Sequence, residues 1–256
     1  MTDILYEQRG AVAWITINRP EARNTLSPAA FVALADTWQE VRDNRDIRVA
    51  VLTGAGDRDF CCGGDLGGLI PLWTGARKPE NAVEERLLAD PAIGDRMLLK
   101  GEPLYKPVIA AINGRALGGG CELLAASDVR IAASNAQFGL PEPRSGIVPG
   151  GGSMVRLARQ IPYAHAMHLL MTGEPIDAAT ALAWGLISEV VAPHELRARA
   201  EAFAAIKRTV IDSHTESWNE AFTREAQESA RVMMSRDARE GPRAFKEKRA
   251  PDFKGE

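Results

Sequence analysis

Two glutamates in apolar surroundings are the strongest candidates for acid–base chemistry in this sequence. Glu122 falls in the first turn of a predicted helix whose other members are apolar. A carboxylate in that position is stabilised by the helix N-terminus, has a raised pKa, or acts on a substrate. Glu142 stands between two prolines, where it is either part of a site or an ordinary solvated side chain.

Two glycine clusters can supply backbone donors to the same chemistry. They span residues 60–65 and 113–122, and each follows a predicted buried strand. Glycine leaves backbone N–H groups uncovered, and the second cluster runs into a helix whose N-terminus adds partial positive charge. Two converging N–H groups form an oxyanion hole, which stabilises a developing negative charge on oxygen. The alternative is that both clusters are tight turns that need positive φ or close packing.

Other common site types find little support in the sequence. Neither glycine cluster has the G-x-G-x-x-G spacing, and the phosphate-loop motif G-x-x-x-x-G-K-[ST] is absent, so nucleotide binding is not expected. His165 and His168 are three residues apart, but no nearby carboxylate or cysteine completes a metal site. Cys61 and Cys62 are adjacent and do not form a C-x-x-C redox motif. We therefore expect neither a zinc site nor a thioredoxin-type redox role.

The elements that position these groups follow from the apolar pattern. Short apolar runs predict buried strands at 11–17, 47–52, 108–112, 129–132 and 188–191. Ser27 and Pro28 predict a helix start. One face of that helix then carries Phe31, Leu34, Trp38 and Val41. Further helices are predicted at 121–126 and 154–161, both buried, and after Asp177. This alternation predicts an α/β core of parallel strands, whose carboxyl ends form the ligand-binding edge.

Two segments differ from this pattern. Residues 71–101 are rich in proline and mixed charge, with a helical patch at 83–88, and we predict a mobile, partly helical excursion over a site. From about residue 193 the strand signals stop and the chain becomes rich in Ala, Glu and Arg. We therefore divide the chain into a catalytic core, 1–192, and a helical oligomerisation segment, 193–256.

Composition excludes several classes of protein. The 256 residues carry a net charge of −3, which argues against a general nucleic-acid binder. No apolar run approaches the ~18 residues of a membrane span, and the N-terminus lacks the features of a signal peptide. Three cysteines, two of them adjacent, do not make a disulfide framework. A cytoplasmic protein is the expectation.

Four collinear motifs resemble one known family. They occupy residues 18–26, 60–66, 116–122 and 138–152. In this order and spacing they are similar to the enoyl-CoA hydratase/isomerase (crotonase) superfamily of fatty acid metabolism. The resemblance implies an α/β fold, a right-handed spiral of ββα units, with a helical C-terminal trimerisation segment. It also implies a homotrimer or a hexamer built as a dimer of trimers.

The resemblance also implies roles for individual residues. Glu122 and Glu142 match the two glutamates of hydratases. The backbone N–H groups of Cys62 and Gly119 would form the oxyanion hole for a thioester carbonyl. The residues expected along the acyl-CoA substrate are Ala22, Arg23, Cys62, Gly63, Gly64, Asp65 and Gly119. Phe245 and Lys248 match tail positions that reach the coenzyme A moiety, often from an adjacent subunit.

The reaction implied is syn addition of water to a trans-2-enoyl-CoA by a hydro-lyase. Glu122 would orient and deprotonate the water, and Glu142 would protonate Cα. No separate cofactor is implied, because coenzyme A is part of the substrate. The alternatives are an acyl-CoA isomerase or dehydratase of the same family and a non-catalytic acyl-CoA-binding homologue. A spiral-fold serine peptidase would need Ser and His where these motifs have Gly and Glu.

Overall fold

Two β-sheets form the centre of the fold. The computed structural model of the protein describes residues 2–101, 104–202, 206 and 217–249. Numbered along the chain, the strands are β1 Ile4–Arg9, β2 Val12–Ile17, β3 Val49–Gly54, β4 Asp59–Cys61, β5 Val108–Ile112, β6 Arg115–Leu117, β7 Val129–Ala133, β8 Gln137–Gly139, β9 Ile176–Asp177 and β10 Glu189–Val191. The larger sheet has the order β1-β2-β3-β5-β7-β10, and the smaller has the order β4-β6-β8-β9.

The central strands of the larger sheet are parallel, as predicted. Strands β2, β3, β5, β7 and β10 pair in parallel and correspond to the five predicted apolar runs. The residues of β3 and β5 are buried on both faces, which explains why these strands are continuous apolar runs rather than alternating patterns. The pairs β1–β2 and β8–β9 are antiparallel. Strand β1 was not predicted, because only its first residue is buried.

The helices are α1 Pro28–Asp43, α2 Leu69–Trp73, α3 Ala82–Ala89, α4 Ala92–Met97, α5 Gly119–Ala125, α6 Ser153–Gln160, α7 Tyr163–Thr172, α8 Ala178–Ala183, α9 Trp218–Met233 and α10 Arg236–Glu247. Residues 196–202 are also helical. The predicted start of α1 is confirmed, since the Ser27 side chain accepts a 3.0 Å hydrogen bond from the Ala30 N–H. The four apolar positions predicted on one face of α1 are all buried.

A ββα unit recurs along the chain. In the units β3-β4-α2, β5-β6-α5 and β7-β8-α6, the first strand lies in the larger sheet and the second in the smaller sheet. The second strands are only three residues long, which is too short for a sequence period, so the smaller sheet was not predicted. The loops that follow the second strands of these units line one cleft, which is described below.

The segment 71–101 is partly helical, as predicted, and its mobility stays a prediction. Helices α3 and α4 pack on α1, and the Trp38 Nε1–H donates a 3.0 Å hydrogen bond to the Met97 carbonyl. Arg77 forms two 2.8 Å hydrogen bonds with the Glu84 carboxylate. The predicted helical patch at 83–88 lies within α3.

The prediction that α6 is buried is wrong for most of the helix. Only Ser153 and Leu157 are buried, whereas Met154 and Val155 are at least half exposed. The helix packs on α5 and α7 with one side, so the apolar residues at its start extend into solvent beside the cleft described below.

The C-terminal segment is helical where the structure describes it. Helices α9 and α10 contact one another. Residues 203–205, 207–216 and 250–256 of the predicted oligomerisation segment lie outside the described residues. Within the described part of the chain, no helix combines the length and apolar character needed to cross a membrane.

Candidate active site

A cleft of about 550 Å³ gathers both glutamates and both glycine clusters. It opens where the loops after β4, β6 and β8 meet. Its apolar wall comes largely from helices α1, α2 and α4, through Phe31, Leu69, Ile70, Trp73 and Met97. The rings of Phe31 and Trp73 meet edge to face, with centroids 5.1 Å apart. The cleft therefore joins an apolar channel to a polar end that carries two carboxyl groups.

Glu122 is a buried carboxylate held by the N-terminus of a neighbouring helix. It lies in the first turn of α5 and is 5% exposed. Its Oε1 accepts a 2.8 Å hydrogen bond from the Ser153 hydroxyl and a 3.3 Å hydrogen bond from the Ser153 backbone N–H. Ser153 is the first residue of α6 and is fully buried. The sequence analysis did not single out Ser153, although a serine that follows three glycines at a helix start is a usable signal.

Gly151 leaves room for the second oxygen of Glu122. A β-carbon at Gly151 would lie 2.3 Å from Glu122 Oε2, which is far inside van der Waals contact. The glycines at 150–152 therefore do more than make a turn, because at least one of them is required by the placement of a carboxylate.

Glu142 occupies a contrasting environment on the opposite loop. It begins a short 3₁₀ helix, Glu142–Ser145, and its Oε1 would lie 3.0 Å from a β-carbon at Gly118. Its Oε2 is buried and has no hydrogen-bond partner among the described residues. Burial raises the pKa of Glu142 to about 7; a backbone hydrogen bond partly opposes this, and the nearby Glu122 charge adds a smaller increase. Glu142 is therefore not an ordinary solvated side chain.

The predicted oxyanion hole needs one correction. The Cys62 N–H donates a 3.2 Å hydrogen bond to the Arg23 carbonyl, so it is not available to a ligand. In the adjoining bridge, Gly63 contributes its carbonyl and Asp65 its N–H, and no hydrogen bond from the Gly64 N–H occurs within the described chain.

The Gly64 N–H is the donor of this loop that approaches Gly119. A β-carbon at Gly119 would lie 3.7 Å from the Gly64 nitrogen. Gly119 is the first residue of α5, so its N–H has no partner within the helix. Both glycines line the cleft. Sequence spacing located the loop but did not distinguish which amide in it is free.

The turn that carries Ala22 and Arg23 is fixed beside this loop. Arg23 and Asn24 both adopt the left-handed conformation, with φ of 56° and 52°. The fully buried Asn24 amide compensates by donating to the carbonyls of Ala55 and Asp59, at 2.9 and 2.6 Å. Arg23 is exposed, and neither Ala22 nor Arg23 lines the cleft.

Asp65 is a structural anchor in this chain. Its carboxylate accepts a 3.1 Å hydrogen bond from Arg19 and further bonds from the N–H groups of Gly67 and Gly68. The hydrogen bonds from Arg19 and the two glycine amides outweigh partial burial and lower the pKa of Asp65. Its side chain thereby ties the first motif, at 18–26, to the loop of the second.

Phe245 and Lys248 are not brought to the cleft of their own chain. Both lie at the end of α10, and Phe245 is 87% exposed. Neither residue lines the cleft. Their approach to coenzyme A from an adjacent subunit stays a prediction.

The side chains considered for other chemistry lie in environments that do not favour it. Burial raises the pKa of the Cys62 thiol to about 12, as does the nearby Asp59 charge, so this thiol is neutral near pH 7. The His165 ring stacks on Trp184 with centroids 4.3 Å apart. The described residues contain no group of three side chains that could hold a metal ion.

Comparison with known proteins agrees with this geometry. The family model described as enoyl-CoA hydratase/isomerase matches residues 7–256. The chain is 41% identical to the enoyl-CoA hydratase EchA19 of Mycobacterium tuberculosis, over 98% of this chain and 96% of that protein. It is 37% identical to the (E)-benzylidenesuccinyl-CoA hydratase of Thauera aromatica, over 98% and 99% of the two chains.

A solved structure confirms the predicted fold. The enoyl-CoA hydratase/isomerase structure from Mycobacterium abscessus ATCC 19977 superposes with a TM-score of 0.68 at 39% identity, covering 99% of this chain and 100% of the other. The fold is thus the crotonase-type α/β spiral, although the trimerising role of the C-terminal helices stays a prediction. On the family model, the relatives and the fold together, this chain belongs to the enoyl-CoA hydratase/isomerase family.

Proposed function

We propose that this protein is an enoyl-CoA hydratase that adds water syn to a trans-2-enoyl-CoA thioester. The observation that supports this most directly is a pair of carboxyl groups in unlike environments within one cleft. Glu122 accepts two hydrogen bonds, whereas the buried Glu142 Oε2 has none among the described residues, and the pKa of Glu142 is raised to about 7. Hydration needs one base and one acid at the same time, and this pair offers both.

The thioester carbonyl is proposed to bind between the Gly64 and Gly119 N–H groups. As water adds to Cβ, electron density moves through the conjugated system onto the carbonyl oxygen and forms an enolate. Two preorganised donors stabilise this charge, and removal of one such donor typically costs ~3–4 kcal/mol of transition-state stabilisation. Gly119 also stands at the positive end of α5, which favours the same charge.

The two carboxyl groups are proposed to divide the proton transfers. Glu122 takes a proton from the attacking water, and Glu142 gives its proton to Cα. After each addition Glu122 carries a proton and Glu142 does not. The pair as a whole still holds one proton. Dehydration follows the same path in reverse, with Glu142 as the base at Cα.

The substrate class follows from the same cleft. Its apolar wall suits an acyl chain, and the oxyanion donors suit a thioester carbonyl. The relatives act on acyl-CoA thioesters, as their names state, and the proposal extends this to the present chain. A homotrimer or a dimer of trimers is proposed with it, in which Phe245 and Lys248 of one subunit approach the coenzyme A bound to another.

A panel of enoyl-CoA substrates tests the proposed function. The ultraviolet band of the conjugated thioester is expected to decay when water adds to crotonyl-CoA or to a longer homologue. Oligomeric, folded protein that produces no decay with any chain length would contradict hydration. Movement of the double bond without addition of water would favour an isomerase, the other activity in the family description.

A further inference from the structure

The two carboxyl groups of the cleft are the same residue type, yet their hydrogen bonding is unequal. Glu122 Oε1 receives both the hydroxyl and the backbone N–H of Ser153. Glu142 Oε2 is buried without a partner among the described residues. The difference between the two carboxyl groups therefore comes from the hydrogen-bond donors at the N-terminus of α6, which reach Glu122.

The chain holds Ser153 in place from both sides. Gly152, with φ of 113°, turns the backbone so that α6 begins against Glu122. One turn later, Arg156 donates to the carbonyls of Leu98 and Leu99, at 2.9 and 2.7 Å. These bonds fasten α6 to the end of α4, which forms the facing wall of the cleft. Ser153 is thus a fully buried residue at the start of a helix that is hydrogen-bonded to the end of α4.

The contacts of Ser153 decide which oxygen of Glu122 is left for chemistry. Both donors engage Oε1, while Oε2 lies beside Gly151, a residue that lines the cleft. Without the hydroxyl, one weak backbone bond of 3.3 Å would be left to orient the carboxylate. The hydroxyl bond to the same oxygen is shorter, at 2.8 Å, and a hydrogen bond to a charged group is stronger than a neutral one, so the hydroxyl is the dominant restraint.

We propose that Ser153 is a positioning residue that fixes Glu122 as the base of the pair, with Oε2 directed to the attacking water. This inference rests on the proposed hydratase function and adds to it the origin of the division of roles. Ser153 does not contact substrate in this proposal, and it acts only through Glu122.

Comparison of two reactions of the same protein distinguishes a positioning role of Ser153 from a purely structural role. Hydration of an enoyl-CoA uses both glutamates. Exchange of the α-hydrogen of a saturated acyl-CoA with D₂O uses only Glu142 and the oxyanion hole: the carboxylate removes the α-proton, the enolate forms, and a deuteron returns to Cα. A change that acts through Glu122 alone lowers hydration and leaves the exchange largely intact.

The test compares Ser153→Ala, Ser153→Thr and Ser127→Ala. We expect Ser153→Ala to lower kcat for hydration by about 10- to 100-fold, the range of one hydrogen bond to a charged group. Its α-hydrogen exchange should fall by less than about threefold. Ser153→Thr keeps a hydroxyl and should recover most of the hydration. Ser127 is a matched control, because its buried hydroxyl donates to the Leu124 carbonyl at 2.7 Å and does not contact Glu122.

The outcomes distinguish the inference from the function on which it rests. Equal losses of hydration and exchange in Ser153→Ala would show a structural role and overturn the inference alone. Unchanged hydration in Ser153→Ala would overturn it as well. Wild-type protein that hydrates no enoyl-CoA would contradict the proposed function, and the inference would fall with it.

Discussion

The backbone N–H of Cys62 donates a 3.2 Å hydrogen bond to the carbonyl of Arg23. This bond joins the left-handed turn at 23–24 to the glycine loop and holds the Cys62 amide away from the cleft. The free amide of the loop is then that of Gly64, two residues later, close to the start of α5 at Gly119. The position of the proposed oxyanion hole is thus set by a turn more than 35 residues earlier in the chain.

The oxyanion hole can be tested by proline at Gly119. This is the first residue of α5, where proline is tolerated because its missing N–H has no partner in the helix. We expect Gly119→Pro to lower kcat by about 10²- to 10³-fold, since one donor to the enolate oxygen is lost. Gly119→Ala is the control, because its β-carbon meets neighbours only at 3.5 Å and beyond and the N–H is kept. Similar kcat values for the two variants would rule out this donor.

The two glutamates are expected to be individually essential. Glu122→Gln and Glu142→Gln each keep the shape of the side chain and remove its capacity to exchange a proton. Each should lower kcat by at least ~10²-fold, the low end for general acid–base catalysis. Steady-state hydration of the best enoyl-CoA measures this, with circular dichroism to verify folding. A variant with full activity would remove that residue from the mechanism.

The pH dependence follows from the raised pKa of Glu142. The pair works with one proton, and above pH 7 that proton is lost, so kcat/KM for hydration should fall as pH rises through about 7. Hydration neither releases a proton to solvent nor takes one up, so its equilibrium constant does not depend on pH. The kcat/KM for dehydration must therefore follow the same pH profile. Glu142→Gln should lack this high-pH limb. Wild-type kcat/KM that increases from pH 7 to about pH 9 would contradict the assignment.

Gly151 and Gly150 form a matched pair of sites for alanine. A β-carbon at Gly151 would lie 2.3 Å from Glu122 Oε2, whereas one at Gly150 meets nothing within 4 Å. We expect Gly151→Ala to displace the carboxylate and lower kcat by about 10²-fold, the size of a lost acid–base contribution. Gly150→Ala should stay within about threefold of wild type, as is usual for a substitution that makes no close contact. Equal activity of the two variants would show that Glu122 does not need this placement.

Much of the architecture was predictable because its signals are local. The buried parallel strands are continuous apolar runs, and α1 begins at a Ser-Pro pair that caps it. The smaller sheet was not predictable, because its three-residue strands contain no period. The burial of α6 was misjudged, because Met154 and Val155 are apolar side chains on an exposed face of the helix.

The sequence predicted which residues form the candidate site, but not where their backbone amides and side chains point. The motifs identified Glu122, Glu142 and both glycine loops, and the cleft contains all of them. The sequence could not show that the Cys62 amide turns toward Arg23, or that Ser153 reaches Glu122 across 31 positions. Such relationships depend on how distant loops meet, and no local pattern encodes them.

The most direct measurement is the structure of the product formed from a trans-2-enoyl-CoA in D₂O. Analysis by NMR should find a 3-hydroxyacyl-CoA with one deuterium at Cα, added on the same face as the hydroxyl at Cβ. That result requires a base for water and an acid for Cα on one side of the substrate, as proposed for Glu122 and Glu142. A product with a shifted double bond and no hydroxyl, or a hydroxyacyl product with deuterium on the opposite face, would contradict it.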